Sequence, residues 1–120
     1  MGASLSRDEK LLKRADYLRL SASGKKFHTQ HFIIVWSEYC SDRARLGITA
    51  SRKIGSAVAR NRVKRRVREY FRLSKDQFVD ADYNIIAKKG ADRLSFHEVR
   101  QELEKAILRI RKMKCSNGCS

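Results

Sequence analysis

The chain has 120 residues, 42% of them hydrophobic, and a formal net charge of +15, which is enough for one compact core and too little for two of ordinary size. That charge exceeds what solubility requires and makes the folded state repel itself, so it points to a polyanionic partner, with nucleic acid ahead of an anionic membrane surface. No run approaches the roughly 20 apolar residues of a membrane span and the start lacks a secretory apolar stretch, so cytoplasmic residence is expected.

In chain order, Gly2 and Ser6 fit a short N-myristoylation pattern of a kind that arises by chance. Ser6 and Glu9 have capping-box spacing ahead of Leu11, Leu12, Ala15 and Leu18, which predicts a helix ending before Gly24. Phe27 to Trp36 is rich in aromatic and β-branched residues and reads as one strand, with Phe32, Ile34 and Trp36 on one face and His31, Ile33 and Val35 on the other. Glu38 to Arg43 reads as a polar loop. Arg45 to Ser51 reads as a second strand that buries Leu46, Ile48 and Ala50 and leaves Gly47 and Thr49 open to a partner. A basic, glycine-containing turn, Ser51 to Ser56, leads into a long helix from about Ala57, and a third strand follows at Tyr83 to Lys88, closed by Gly90. Ser95 and Glu98 form a second capping box, flanked by Leu94 and Val99. Phe96, Val99, Leu103, Ala106, Ile107 and Ile110 then recur at helical spacing to about Lys112.

This order predicts a two-layer α/β or α+β sandwich, with helices over one face of a small sheet and the other face partly open. One domain is expected over 1–120, with flexible ends at about 1–6 and 113–120.

The segment Ser51 to Arg72 holds nine Lys or Arg and one Glu, so most of the net charge sits in it. Advancing about 100° per residue puts Ala59, Val63, Val67 and Tyr70 on one stripe with Phe71 at its margin. Asn61, Arg65, Arg68 and Arg72 fall opposite, Arg62 and Arg66 lie on the flank that faces Glu69, and Arg60 and Lys64 lie on the other flank. An exposed ion pair to Glu69 is worth tenths of a kcal/mol and does not account for so much mutual repulsion. Phosphates do: a guanidinium holds them bidentately, and Asn61 adds a side chain suited to a 2′-hydroxyl or a base edge. A DNA recognition helix is the rival, but it would follow another helix, and here a strand precedes.

Three cysteines, Cys40, Cys115 and Cys119, do not suggest a complete disulfide framework, and His28, His31 and His97 have no finger-like spacing with them. No acid pair stands beside a histidine as a hydrolytic site. His28 and His31 offer acid/base chemistry in principle and are more simply polar members of a strand.

The run Arg45 to Glu69, a strand and basic turn entering an Arg60-Asn61-Arg62 helix, resembles the signature of the bacterial ribonuclease P protein family. Leu11, Asp16-Tyr17, Asp82 to Ala87 and Ser95 support it. The resemblance implies a four-stranded sheet with a left-handed βαβ crossover. It also implies a protein subunit that joins a catalytic RNA to remove the 5′ leader of precursor tRNA, with bond cleavage and Mg²⁺ belonging mainly to the RNA. It places Arg52, Lys53, Arg60, Asn61, Arg62, Lys64, Arg65, Arg68 and Arg72 on RNA, with Tyr17 and Lys53 at a leader cleft. Phe32 and Trp36, or their sheet neighbours, line that cleft further or else fill the core. Family members often carry a second aromatic where this chain has Ser21, so stacking there is lost. Ribonuclease P RNA and precursor tRNA are the implied partners, with no membrane and no obligate protein partner. Two other classes remain open: a structural RNA-binding protein, and an autonomous ribonuclease using His28 and His31.

Overall fold

The apolar run at Phe27 to Trp36 does not form one strand. In the computed structural model, which describes residues 14–37, 44–78 and 81–116, it folds back as a hairpin of β1 (Lys25–His28) and β2 (Phe32–Trp36). The turn contains neither Gly nor Pro, the usual signals of a hairpin. It is held instead from a distant helix, α3 (Phe96–Ser116). Glu102 of that helix accepts from the Thr29 hydroxyl at 2.5 Å and from the His31 backbone N–H at 2.6 Å, and Lys88 Nζ donates to the Thr29 carbonyl at 2.6 Å.

The remaining elements are α1 (Arg14–Ser23), β3 (Arg45–Thr49), α2 (Ala57–Leu73) and β4 (Asp82–Ala87), with 3-10 turns at Arg52–Ile54, Lys75–Gln77 and Ala91–Arg93. The sheet order is β1-β2-β4-β3. β2 is antiparallel to both β1 and β4, while β3 runs parallel to β4, with Leu46 opposite Tyr83 and Ile48 opposite Ile85. A parallel pair needs a crossover, and α2 supplies it between β3 and β4. The result is a small mixed sheet of four strands packed by helices.

Strand alternation divides the apolar residues between two faces. Phe32, Ile34, Trp36, Leu46, Tyr83 and Ile85 form the main core with Val63, Val67, Tyr70 and Phe71 of α2 and Val99, Leu103, Ile107 and Ile110 of α3. Phe78 closes this core, its ring centroid 4.6 Å from Phe71 and 5.2 Å from Tyr83, edge-on to the latter. On the opposite face Leu20 packs on Val35, with Tyr17, Ile33 and Ile86 around them. Helices therefore lie on both faces: α2 and α3 pack on one, and the single helix α1 covers part of the other.

Each long helix starts where a side-chain oxygen meets an orphan N–H. Ser56 Oγ accepts from Ala59 N at 3.2 Å. The bend just before it places Gly55 at φ 139°, a left-sided conformation that favours glycine. The capping box of α3 is reciprocal, Ser95 N to Glu98 Oε1 at 3.1 Å and Glu98 N to Ser95 Oγ at 3.2 Å. α3 continues to Ser116, past the end expected near Lys112, because no Gly or Pro intervenes before Gly118. Cys115 therefore lies on a helix rather than in a tail. The Ser6–Glu9 box, the Gly2 pattern, Cys40 and its loop, and Cys119 lie outside the described residues.

Candidate nucleic-acid interface

The apolar stripe read along α2 is the stripe that is buried. Val63, Val67 and Tyr70 are each 0% exposed and Phe71 is 1% exposed, and burial at that spacing fixes the direction of every cation on the helix. Asn61, Arg62, Arg65 and Arg72 are exposed, and Arg60, Lys64 and Arg68 are half-buried. Arg60 and Lys64 flank the stripe as snorkelling side chains do. Arg52 and Lys53 stand exposed in the 3-10 turn that delivers the chain into α2. Arg62, Lys64 and Arg65 have no ion partner among the described residues.

The flank facing Glu69 differs from the expectation. Glu69 pairs weakly with Arg72, at 3.9 Å and three residues on, and not with Arg62 or Arg66. Arg66 turns away from it and donates to the Asp92 carbonyl at 3.2 Å and to the Leu94 carbonyl. These carbonyls belong to the turn before α3, so Arg66 is a structural clamp between helices. The wheel places a side chain around its own helix and carries no information on the carbonyls of a turn elsewhere in the sequence.

Tyr17 projects from α1 onto Gly47 of β3. A Cβ at Gly47 would lie 2.5 Å from the Tyr17 hydroxyl, so only glycine admits the ring at this depth. The side of β3 expected to be open is thus covered at Gly47. Burial pushes the Tyr17 hydroxyl pKa above its ordinary value, and the charge of Arg68 opposes that rise. Arg68 and Tyr17 therefore share one electrostatic neighbourhood, and the basic face of α2 joins the α1 side of the sheet at β3.

Phe32 and Trp36 are not cleft residues. They are 0% and 3% exposed in the main core, on the face away from Tyr17, because their parity along β2 places them with Ile34 beneath α2 and α3. Their neighbours Ile33 and Val35 carry the opposite parity and lie on the α1 face. That face also holds Thr49, expected there from the alternation of β3, and Asn84, which was not singled out as a site residue, with the Thr49 hydroxyl donating to Asn84 Oδ1 at 3.1 Å. The alternation in Tyr83 to Ala87 was the available signal for Asn84. At one end of the same strands Arg45 grips buried Asp82 through two bonds of 2.7 Å, fixing β3 against β4 beneath Tyr17.

His31 Nδ1 lies 2.9 Å from Glu102 Oε1, which places it in the bracing of the hairpin turn. Among the described residues no group of three or more His, Cys, Asp or Glu side chains is placed to hold a metal ion.

The family model for ribonuclease P matches residues 5–111. The chain belongs to the ribonuclease P protein family. The ribonuclease P protein component of Geotalea uraniireducens is 47% identical over 104 residues, spanning 87% of this chain and 92% of its own. The RNase P protein from Thermotoga maritima superposes with a TM-score of 0.77 at 34% identity, covering 84% of this chain and 96% of that one. The RNase P protein of Staphylococcus aureus superposes with a TM-score of 0.76 at 30% identity over 87% and 95% of the two chains. The chain is accordingly the protein subunit of ribonuclease P, a ribonucleoprotein endoribonuclease that works with an RNA subunit on precursor tRNA. Catalysis by ribonuclease P depends on Mg²⁺. Among the described residues no cluster of three or more His, Cys, Asp or Glu side chains forms an all-protein site for it.

Proposed function

We propose that Arg62, Lys64, Arg65, Arg68 and Arg72, with Arg60 and Asn61 at the start of the same surface and Arg52 and Lys53 in the turn before it, bind the ribonuclease P RNA. The cleft between α1 and the exposed part of the sheet takes the single-stranded 5′ leader of precursor tRNA. Tyr17 provides an aromatic edge there and Lys53 a charge at its mouth. The observation that carries this reading is the orientation of α2: its apolar stripe is buried, so its cations face outward together, and Arg62, Lys64 and Arg65 among them have no ion partner within the described residues. Guanidinium groups at helical spacing hold phosphates along a strand and lower the repulsion between two RNAs brought side by side. Leader bases add stacking and hydrogen bonds, as in general single-strand binding.

The RNA subunit holds the Mg²⁺ and breaks the phosphodiester bond, leaving a 5′-phosphate on the mature tRNA. The protein contributes affinity and position. In this reading the whole chain works as one RNA-binding domain in the cytoplasm, without a membrane or an obligate protein partner. The test is cleavage of a 5′-extended precursor tRNA at low Mg²⁺, with the protein, a bacterial ribonuclease P RNA, or both. Cleavage at the mature 5′ end that needs the RNA and rises strongly with the protein is the expected result. Cleavage by the protein alone, or RNA binding with no stimulation, overturns the reading.

A further inference from the structure

A groove of about 810 Å³ lies away from the Tyr17 side of the sheet, between the β1–β2 turn and α3. Phe27 and Leu108 give it an apolar lining, and Leu108 is 42% exposed despite its size. Lys105, Arg109 and Lys112 project along its α3 wall at spacings of four and three residues, which places them on one side of the helix. Two carboxylates also line it, but both are already engaged. Glu98 accepts from Ser95 N in the capping box, and Glu102 is bound by Thr29 and His31. Lys105 and Arg109 have no ion partner among the described residues. The groove thus combines an exposed apolar lining with three cations against two hydrogen-bonded carboxylates, an excess of positive charge.

We propose that this groove is a second RNA-contact site of the protein, holding a phosphodiester strand of the RNA subunit with Lys105 and Arg109 on phosphates and Phe27 and Leu108 beneath a base or ribose. An alternation of cationic and apolar groups is what a nucleotide strand meets in single-strand binding, whereas an acidic peptide would find little hydrogen-bonding backbone on a helix face. The RNA subunit is the partner because α3 packs beside α2 in the same layer, on the side of the sheet away from the leader cleft. The proposal rests on the reading of α2 as the RNA-subunit face.

The test is titration of full-length protein with ribonuclease P RNA across a series of monovalent salt concentrations at fixed Mg²⁺. It compares the wild type, a Lys105→Gln/Arg109→Gln variant, a charge-preserving Lys105→Arg/Arg109→Lys variant, and Arg65→Ala. Two lost contacts flatten the log–log salt slope by about 1.4 to 1.8. Extrapolated from 1 M, that is a loss of about 25- to 60-fold in affinity at 0.1 M. The charge-preserving variant is expected to keep the wild-type slope. If the neutralised variant keeps it while Arg65→Ala loses slope, the groove proposal is overturned and the α2 reading stands. If neither variant loses slope, both readings fail. If the charge-preserving variant falls as far as the neutralised one, the effect is structural and the proposal is likewise overturned.

Discussion

Replacing Arg65 with alanine removes one exposed guanidinium from α2 and touches none of the core, since Arg65 lies opposite the buried stripe of Val63, Val67 and Tyr70. If that guanidinium neutralises a phosphate, the slope of log affinity against log salt flattens by about 0.7 to 0.9 per lost contact. Taking 1 M salt as the point where the electrostatic contribution vanishes, one contact corresponds to about 5- to 8-fold in affinity at 0.1 M. Arg68→Ala is expected to give a similar slope change and also to raise the Tyr17 hydroxyl pKa further, because Arg68 opposes that rise in the folded protein. Arg66→Ala supplies the contrast. Its guanidinium is bound to the Asp92 and Leu94 carbonyls, so the expected loss is about 1 to 3 kcal/mol of stability with the salt slope retained. The assay is equilibrium titration of ribonuclease P RNA from 0.1 to 1 M salt, paired with urea unfolding of each free protein. Unchanged slopes in both Arg65→Ala and Arg68→Ala, or a flattened slope in Arg66→Ala, would refute the assignment of the helix faces.

Gly47→Ala forces the Tyr17 ring off β3, because the new Cβ lies 2.5 Å from the hydroxyl and 2.6 Å from the ring edge. We expect a stability loss of about 1 to 3 kcal/mol in urea, and weaker preference for precursor over mature tRNA in the holoenzyme at unchanged RNA-subunit affinity. Equal preference in wild type and variant would remove Tyr17 from the cleft. Burial raises the Glu102 carboxyl pKa, but the hydrogen bonds from Thr29 and His31 and the His31 charge outweigh it and hold the group below the ordinary carboxylate range. A depressed folded-state pKa stabilises above the unfolded value and loses that contribution as pH falls through the folded one. Glu102→Gln should therefore lower the Tm at neutral pH, with the gap to wild type closing as the solution is acidified below that range. A gap that stays constant down the acid limb would show that the carboxylate does not brace the hairpin through its charge.

The local patterns in this sequence determine much of the fold. The stripe from Ala59 to Phe71 and the reciprocal Ser95–Glu98 box are each written within a few turns of chain, and the structure places these residues as their spacing requires. The direction of the α2 cations follows from the same periodicity, which is why the main candidate surface is legible in the sequence. Parity also separates Phe32 and Trp36 from Ile33 and Val35. It does not say which of two apolar faces lies under two helices and which under one, and that choice removes Phe32 and Trp36 from the cleft.

What only the tertiary structure decided depends on contacts between residues far apart in sequence. The break in the Phe27 to Trp36 run is held by Glu102, 73 residues from Thr29, so no local turn signal announces it. Arg66 is diverted from the basic surface by carbonyls 26 and 28 residues away, and Gly47 is small because a ring from α1 rests on it. A helix wheel or a strand alternation describes a residue relative to its own element. Hydrogen-bond geometry and close packing are satisfied between elements, and they exist only once the chain has brought those elements together.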